Sequence, residues 1–253
     1  MASNRIGRIN EEIQRELANL IRTVKDPRVH GLVSITAVDT TSDLRYAKVY
    51  VSVLDRSDVN EVVRGLKSAG GYLLREQDAI LILTHKRPDG DTIGCAVGLC
   101  AALRKLGKQA WVLPNRDATS LFTPYLEGYL APEAVRPAFV VSVDIAGRSL
   151  FTPEGEVWLT RGIDLAFDHH PSYEGFAAAC CVDPGRAACG ELIYDVVRQL
   201  GPVTAEIAQP LYVAVSTDTG CFQYGNTTPA THRVAAALME AGIDYASLNK
   251  RHF

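Results

Sequence analysis

Residues 79–91 read AILILTHKRPDGD. A β-type apolar run, Ala79–Leu83, leads into Thr84 and His85, and Asp89 and Asp91 follow in the next turn of chain. Later pieces repeat the arrangement. FVVSV (139–143) leads into Asp144, and IDLAF (163–167) into Asp168, His169 and His170. LYVAVS (211–216) leads into Thr217 and Asp218, and this last run reads as strand or helix. In an open α/β sheet, ligands bind beyond the carboxyl ends of the strands. Acids and imidazoles placed there converge on one crevice and read as a single metal site. One His or Asp after a strand is ordinarily a cap or turn residue; the repetition argues against that reading.

The text between these pieces supports the same sheet. AILILT is followed by the helical pattern IGCAVGLCAALRKLG, and QAWVLP by a loop carrying Pro114, Pro124, Pro132 and Pro137. After FVVSVD and DLAFDHH come GELIYDVVRQLG, AEIAQPLYVAVS and THRVAAALMEAG. This is a βαβ order, which predicts an α/β fold with a largely parallel sheet and helices on both faces.

Composition excludes several classes. The chain has 253 residues, 47% hydrophobic and 22% charged, which is ordinary globular material. No apolar run approaches the ~18 residues of a membrane helix. The start, MASNRIGRINEEIQ, is charged and amphipathic and unlike a secretion signal, so a cytoplasmic location is expected. Cys95, Cys100, Cys180, Cys181, Cys189 and Cys221 form no CxxC pair and read as structural. The net charge of −3 is uneven: residues 1–77 carry 12 basic and 10 acidic side chains, the remainder 14 and 19. The acidic surplus suits a cation site, and the slightly basic first part suits RNA contact.

HKRPDGD, the isolated strand-end Asp144, Asp168-His169-His170 and Thr217-Asp218-Thr219-Gly220 together resemble the DHH phosphoesterase family. DTIGCAVGLCAALRKLGK and TDTGCFQYGNTTPATHRVAAALMEAGID are similar to its oligoribonuclease and phosphoadenosine-phosphate phosphatase branch. The resemblance covers residues 78–253. It implies a parallel-sheet phosphoesterase domain and two Mn²⁺ ions, with Mg²⁺ or Co²⁺ as substitutes. His85, Asp89 and Asp144 would hold one ion. Asp91, Asp144, His169 and Asp218 would hold the other, with Asp144 as the bridge. His170 would face the substrate phosphate as a catalytic group, and Asp168 would orient the imidazoles. A bridged pair acidifies water and clamps phosphoryl oxygens. Gly90 is read as a tight turn that aims both flanking acids at one place. Arg116 reads first as a solvated loop arginine, with substrate contact the lesser reading; Asn226, Thr227 and Thr228 read equally as substrate contacts or as caps of the helix beginning near Pro229; His232 reads as structural or exposed.

The first 76 residues read differently. Ile9, Ile13, Leu17, Leu20 and Ile21 recur at helical spacing, and Lys25-Asp26-Pro27-Arg28 ends that helix. LVSITAV and YAKVYVSVL are strand-like and joined by DTTSDLR. Asp58 caps a second predicted helix carrying Val62, Val63 and Leu66. Then comes Ala69-Gly70-Gly71, which suggests a kink. RINEEIQRELANLI, KDPRVHGLVSIT, DLRYAKVYVSVL and GLKSAGGYLLRE resemble bacterial ribosome-binding factor A, stopping near Glu76. That implies a small, incomplete KH-like α+β segment over 1–76 and contact with the small ribosomal subunit.

The expected function is manganese-dependent hydrolysis of short oligoribonucleotides, or of the 3′-phosphate of adenosine 3′,5′-bisphosphate. The alternatives are a ribosome-binding factor A-like protein in small-subunit maturation and rRNA processing, and an inactive fusion of two truncated proteins. The phosphoesterase family carries a second domain with a glycine-rich GGGH segment that grips substrate. No GGG occurs in these 253 residues, and reduced activity on nucleotides is the corresponding expectation.

Overall fold

The computed structural model describes residues 2–20, 33–40, 47–53 and 79–253. The chain divides into two compact units, Met1–Tyr72 and Leu73–Phe253.

In the first unit, helix α1 spans Ala2–Leu20. Strands β1 (Val33–Thr40) and β2 (Ala47–Val53) pair antiparallel, with a register shift between Ile35 and Ala37. The shift leaves carbonyls outside the ladder. Gln14 on α1 satisfies them, its Nε2 donating to Ile35 O at 3.0 Å and Thr36 O at 3.2 Å. The predicted stop at residues 25–28, the helix capped by Asp58 and the Gly70-Gly71 kink lie outside the described residues, as does most of the turn DTTSDLR.

The second unit is α/β. Five strands, β3 (Ala79–Leu83), β4 (Gln109–Val112), β5 (Phe139–Val143), β6 (Ile163–Asp168) and β7 (Ala177–Val182), form one parallel sheet in the order β4-β3-β5-β6-β7. The chain runs from β3 outward to β4, then returns to β5 on the other side of β3. The strand order therefore reverses between β3 and β5, where such sheets bind ligands.

Side chains alternate across the sheet. Ile80, Ile82, Val141, Val143, Leu165 and Phe167 enter the larger core, under helices α2 (Gly90–Lys105), α5 (Cys189–Leu200) and α6 (Ala205–Asp218). Leu81, Leu83 and Val140 face a thinner layer, which also holds Ile163 from the very start of β6, Phe151, and Trp158 from helix α4 (Pro153–Arg161). Helix α3 (Thr123–Leu126) lies in the long loop after β4; α7 (Pro229–Glu240) and α8 (Tyr245–His252) complete the unit. Helices thus cover both faces, unequally. No helix among the described residues is long and apolar enough to cross a membrane.

Two local points are open in the sequence. LYVAVS is helical, inside the 14-residue α6. Its apolar run is continuous because α6 is buried nearly all round, so it carries no period-2 signal. The fifth strand is AAACCV, which the sequence does not announce. It is an edge strand, half exposed, and its small residues lack β-branched character. Only eight residues connect β6 to β7, below the dozen usual for a parallel crossover. Extended chain reaches about 3.3 Å per residue, so eight residues span one short strand.

Candidate metal centre

His85 follows β3 directly and is fixed from both sides. Its Nδ1 donates to Lys86 O at 2.9 Å, which turns Nε2 toward the crevice. That Nε2 stands 3.6 Å from Asp89 Oδ1 and 3.7 Å from Asp144 Oδ2. The loop then makes a strained turn: Arg87 has φ 51° although proline follows it, a position restricted to extended backbone. Asp117 Oδ2 accepts the Arg87 amide at 3.2 Å, and Asn115 Nδ2 donates to Thr84 Oγ1 and His85 O at 2.9 and 2.8 Å. The β4 loop thus holds the β3 loop. Asn115 and Asp117 carry no sequence signal beyond lying beside Arg116. Arg116 itself is 89% exposed and pairs with Glu154.

Asp89 caps α2, accepting from the amides of Asp91 and Thr92. Burial would raise its pKa, but His85 and those two amides outweigh it and hold it below the ordinary value. Asp91 sits one residue into α2 and is 1% exposed. Its Oδ2 accepts from Cys189 N at 2.6 Å and its Oδ1 from Gly190 N at 2.8 Å, the first amides of α5. The Cys95 thiol also donates to Oδ1. Two helix N-termini therefore converge on one carboxylate. Even so, burial and then Asp144, Asp218 and Asp89 push Asp91 well above the usual carboxylate range.

Asp144 follows β5 with φ 58°, in the left-handed region that Asp tolerates better than most residues. Its amide donates to Phe167 O on the neighbouring strand. The carboxylate is 3% exposed, and Oδ1 has no hydrogen-bond partner. Burial raises its pKa, against the pull of His85.

His169 Nδ1 donates to Arg186 O at 3.2 Å. Its Nε2 lies 3.5 Å from Asp144 Oδ1, 3.5 Å from Asp218 Oδ2 and 3.7 Å from Asp91 Oδ2. His170 is bound differently. Its Nδ1 donates to Asp168 Oδ1 at 2.8 Å, and that bond raises its pKa. Asp168, wholly buried, also takes the amides of His169 and His170 on Oδ1, while Oδ2 has no partner.

Asp218 ends α6, and its position follows from close helix packing. Gly90, Gly94 and Gly98 line one face of α2. A Cβ on Gly90 would overlap the Thr217 hydroxyl, on Gly94 the Pro210 carbonyl, and on Gly98 the Leu211 side chain at 2.7 Å. The antiparallel contact brings the start of α2 to the end of α6, so Asp91 meets Asp218. Gly90 serves close approach and has no left-handed φ, which corrects the tight-turn reading. A carboxylate at a helix C-terminus faces the wrong end of the macrodipole. Burial pushes Asp218 up to about 6, with Asp144 and Asp89 adding to it against His169 and His170.

The structure brings all eight sequence-predicted residues together. His85, Asp89 and Asp144 form one donor group, Asp91, His169 and Asp218 a second, and Asp144, His169 and His170 a third that joins them. The donor chemistry fits a pair of divalent ions. Buried carboxylates crowd against each other, two imidazoles turn Nε2 toward them, and a buried Asp144 oxygen lacks a hydrogen-bond partner. Carboxylate with imidazole suits Mn²⁺ and neighbouring divalent ions. Of the remaining candidates, Thr227 keeps its buried hydroxyl without a hydrogen-bond partner, and the others have contacts of their own. Asn226 Nδ2 donates to Ala187 O and Asp218 O, Thr228 caps α7, and exposed His232 packs on Phe222.

The family model of the DHH family, N-terminal domain, matches residues 79–215. That is more than half of the sequence, and the chain belongs to the DHH family. The model for ribosome-binding factor A matches residues 5–83. Over 177 residues, 68% of this chain, the sequence is 38% identical to the bifunctional oligoribonuclease and PAP phosphatase NrnA of Thermus thermophilus. It covers 53% of that relative, about half its length. Over 78 residues it is 50% identical to the ribosome-binding factor A of Clostridium tetani, covering 30% of this chain and 64% of that one. The crystal structure of an exopolyphosphatase-related protein from Bacteroides fragilis matches with a TM-score of 0.66 at 21% identity. It covers 74% of this chain and 60% of that chain, and it speaks to the fold.

Proposed function

We propose that the second unit is a manganese-dependent phosphoesterase acting on short oligoribonucleotides or on the 3′-phosphate of adenosine 3′,5′-bisphosphate. The observation that carries this reading is the placement of Asp144 between two donor groups, its Oδ2 toward His85 and its Oδ1 toward His169. His85, Asp89 and Asp144 would hold one ion, and Asp91, Asp144, His169 and Asp218 the other. When bound, the ions supply an acidified water as nucleophile and positive charge for the phosphoryl oxygens. The protein's own groups do the rest. Lys86 O and Arg186 O take the Nδ1 protons of His85 and His169, so both rings offer Nε2. Asp168 keeps a proton on His170, which then donates from its other nitrogen to a phosphoryl or leaving oxygen.

The test is phosphate and mononucleotide release from adenosine 3′,5′-bisphosphate and a diribonucleotide, with and without Mn²⁺. Wild type is expected to be active only with metal, and Asp144→Asn inactive. Equal activity of Asp144→Asn would overturn the reading.

A second reading applies to the first unit. The ribosome-binding factor A match over residues 5–83 supports association with the small ribosomal subunit, in the cytoplasm. Cosedimentation of the full chain with small subunits tests it; absence from the subunit fraction would remove it.

A further inference from the structure

We infer that Arg186 is a positioning residue that assembles the second donor group, acting through the segment Arg186–Glu191. The inference rests on the two-ion reading above.

Three backbone groups of that segment reach the site. The Arg186 carbonyl accepts from His169 Nδ1, at 3.2 Å. A carbonyl can only accept, so this bond fixes the tautomer that leaves Nε2 unprotonated. The Cys189 and Gly190 amides hold both oxygens of Asp91, at 2.6 and 2.8 Å. Two of the three side chains in the group, His169 and Asp91, are therefore oriented by one short piece of chain. The third, Asp218, is tied next door: Asn226 bridges its carbonyl to that of Ala187, inside the same segment.

The Arg186 guanidinium holds this piece closed. It donates to Asp195 Oδ2 at 2.6 Å and to Glu191 Oε2 at 3.5 Å, both on α5, and lies 3.5 Å from Asp183 in the preceding turn. Glu191 is wholly buried, and its other oxygen accepts from Thr231 on α7 at 2.6 Å. Turn, helix start and α7 are thus locked around one planar cation, whose fork geometry lysine does not reproduce. The first donor group is held elsewhere, by Lys86 O, Asn115 and the α2 amides. The shared Asp144 is fixed by Phe167 O. The consequence is selective: weakening Arg186 should loosen one ion and spare the other.

Mn²⁺ binding to the full chain, followed by calorimetry and by the paramagnetic resonance of free Mn²⁺, tests this. Wild type should bind two ions. Arg186→Met should bind the first with unchanged affinity and the second about ten- to a hundredfold more weakly, the usual effect of losing a group behind a ligand. Arg186→Lys should fall between. Asp195→Asn, which touches no ligand, should weaken the same ion by less, and it decides the matter if Arg186→Met does not fold. Two ions bound normally by folded Arg186→Met, or both ions weakened alike in Asp195→Asn, would overturn the inference and leave the two-ion reading standing. Failure of wild type to bind two ions would remove both.

Discussion

His169 and His170 are neighbours with different hydrogen-bond partners, and the partners set their roles. A backbone carbonyl on Nδ1 turns the His169 Nε2 toward Asp144, Asp218 and Asp91, whereas the Asp168 carboxylate on Nδ1 raises the pKa of His170. His170→Ala should retain two Mn²⁺ while turnover falls about a hundredfold or more, the range for losing a general acid. His169→Ala should lose one ion. Equal metal loss in both variants would merge the roles. Proton linkage gives a second residue-scale prediction. Burial alone would lower His85, but Asp144 and Asp89 push it up to about 10, while Asp218 sits at about 6. Both values lie above the unfolded ones, so the metal-free folded chain binds extra protons. The His85 contribution to stability is complete below 6.5 and lost as pH rises through about 10. The Asp218 contribution is complete below 3.8 and lost as pH rises through about 6. A cation must displace these protons. Mn²⁺ affinity should therefore climb from pH 5.5 to 8, most steeply below about 6, with proton release measurable by calorimetry in two buffers of different ionisation enthalpy. A flat profile would contradict the assigned ligands.

The element that decides the site is the pairing of α2 with α6, and the glycines Gly90, Gly94 and Gly98 make it. At an exposed helix position, Ala is favoured over Gly by about 1 kcal/mol. At Gly94 the added methyl would overlap the Pro210 carbonyl and stand 2.8 Å from Ala214 Cβ. Backbone cannot rotate away, so overpacking of about 1–3 kcal/mol should outweigh propensity. Gly94→Ala should lower the melting temperature and weaken the ion assigned to Asp91 and Asp218, while Gly98→Ala, whose tight contact is the flexible Leu211 side chain and which meets the Ile207 carbonyl at an ordinary 3.4 Å, should do less. A Gly94→Ala protein as stable as wild type would refute the close packing. This pairing also shows where the sequence is legible. His85, Asp144, Asp168 and Asp218 can be picked out because each closely follows an apolar run, and Asp89, Asp91, His169 and His170 because they stand at short spacing beside them. The β7 edge, the Asn115–Asp117 clamp and the Arg186 anchor cannot. The edge strand is built of small residues, and Asn115, Asp117 and Arg186 are ordinary polar side chains whose partners lie on other parts of the fold, so nothing beside them in the sequence marks the contact.

At the scale of the whole molecule, both tryptophans, Trp111 and Trp158, lie in the second unit and pack in the thinner of its two cores. Tryptophan fluorescence therefore reports the unfolding of the unit that carries the eight candidate residues, while residues 1–72 contribute no tryptophan. A ligand that binds only the folded state stabilises it by mass action, by about 2.7 kcal/mol at a hundredfold excess over Kd for one site. For a protein of this size that is a rise of roughly 5–10 °C in the fluorescence midpoint. Mn²⁺ should produce it in wild type. Ca²⁺ should produce less, since it prefers larger all-oxygen shells and this site offers imidazoles. Asp144→Asn separates site binding from loose association with surface carboxylates. It leaves the second unit's other acids in place and removes only the charge shared by both donor groups, so its midpoint should barely respond. An equal Mn²⁺ shift in wild type and Asp144→Asn would mean that the ions bind elsewhere, and the crevice between β3 and β5 would then lose its claim to be the metal centre.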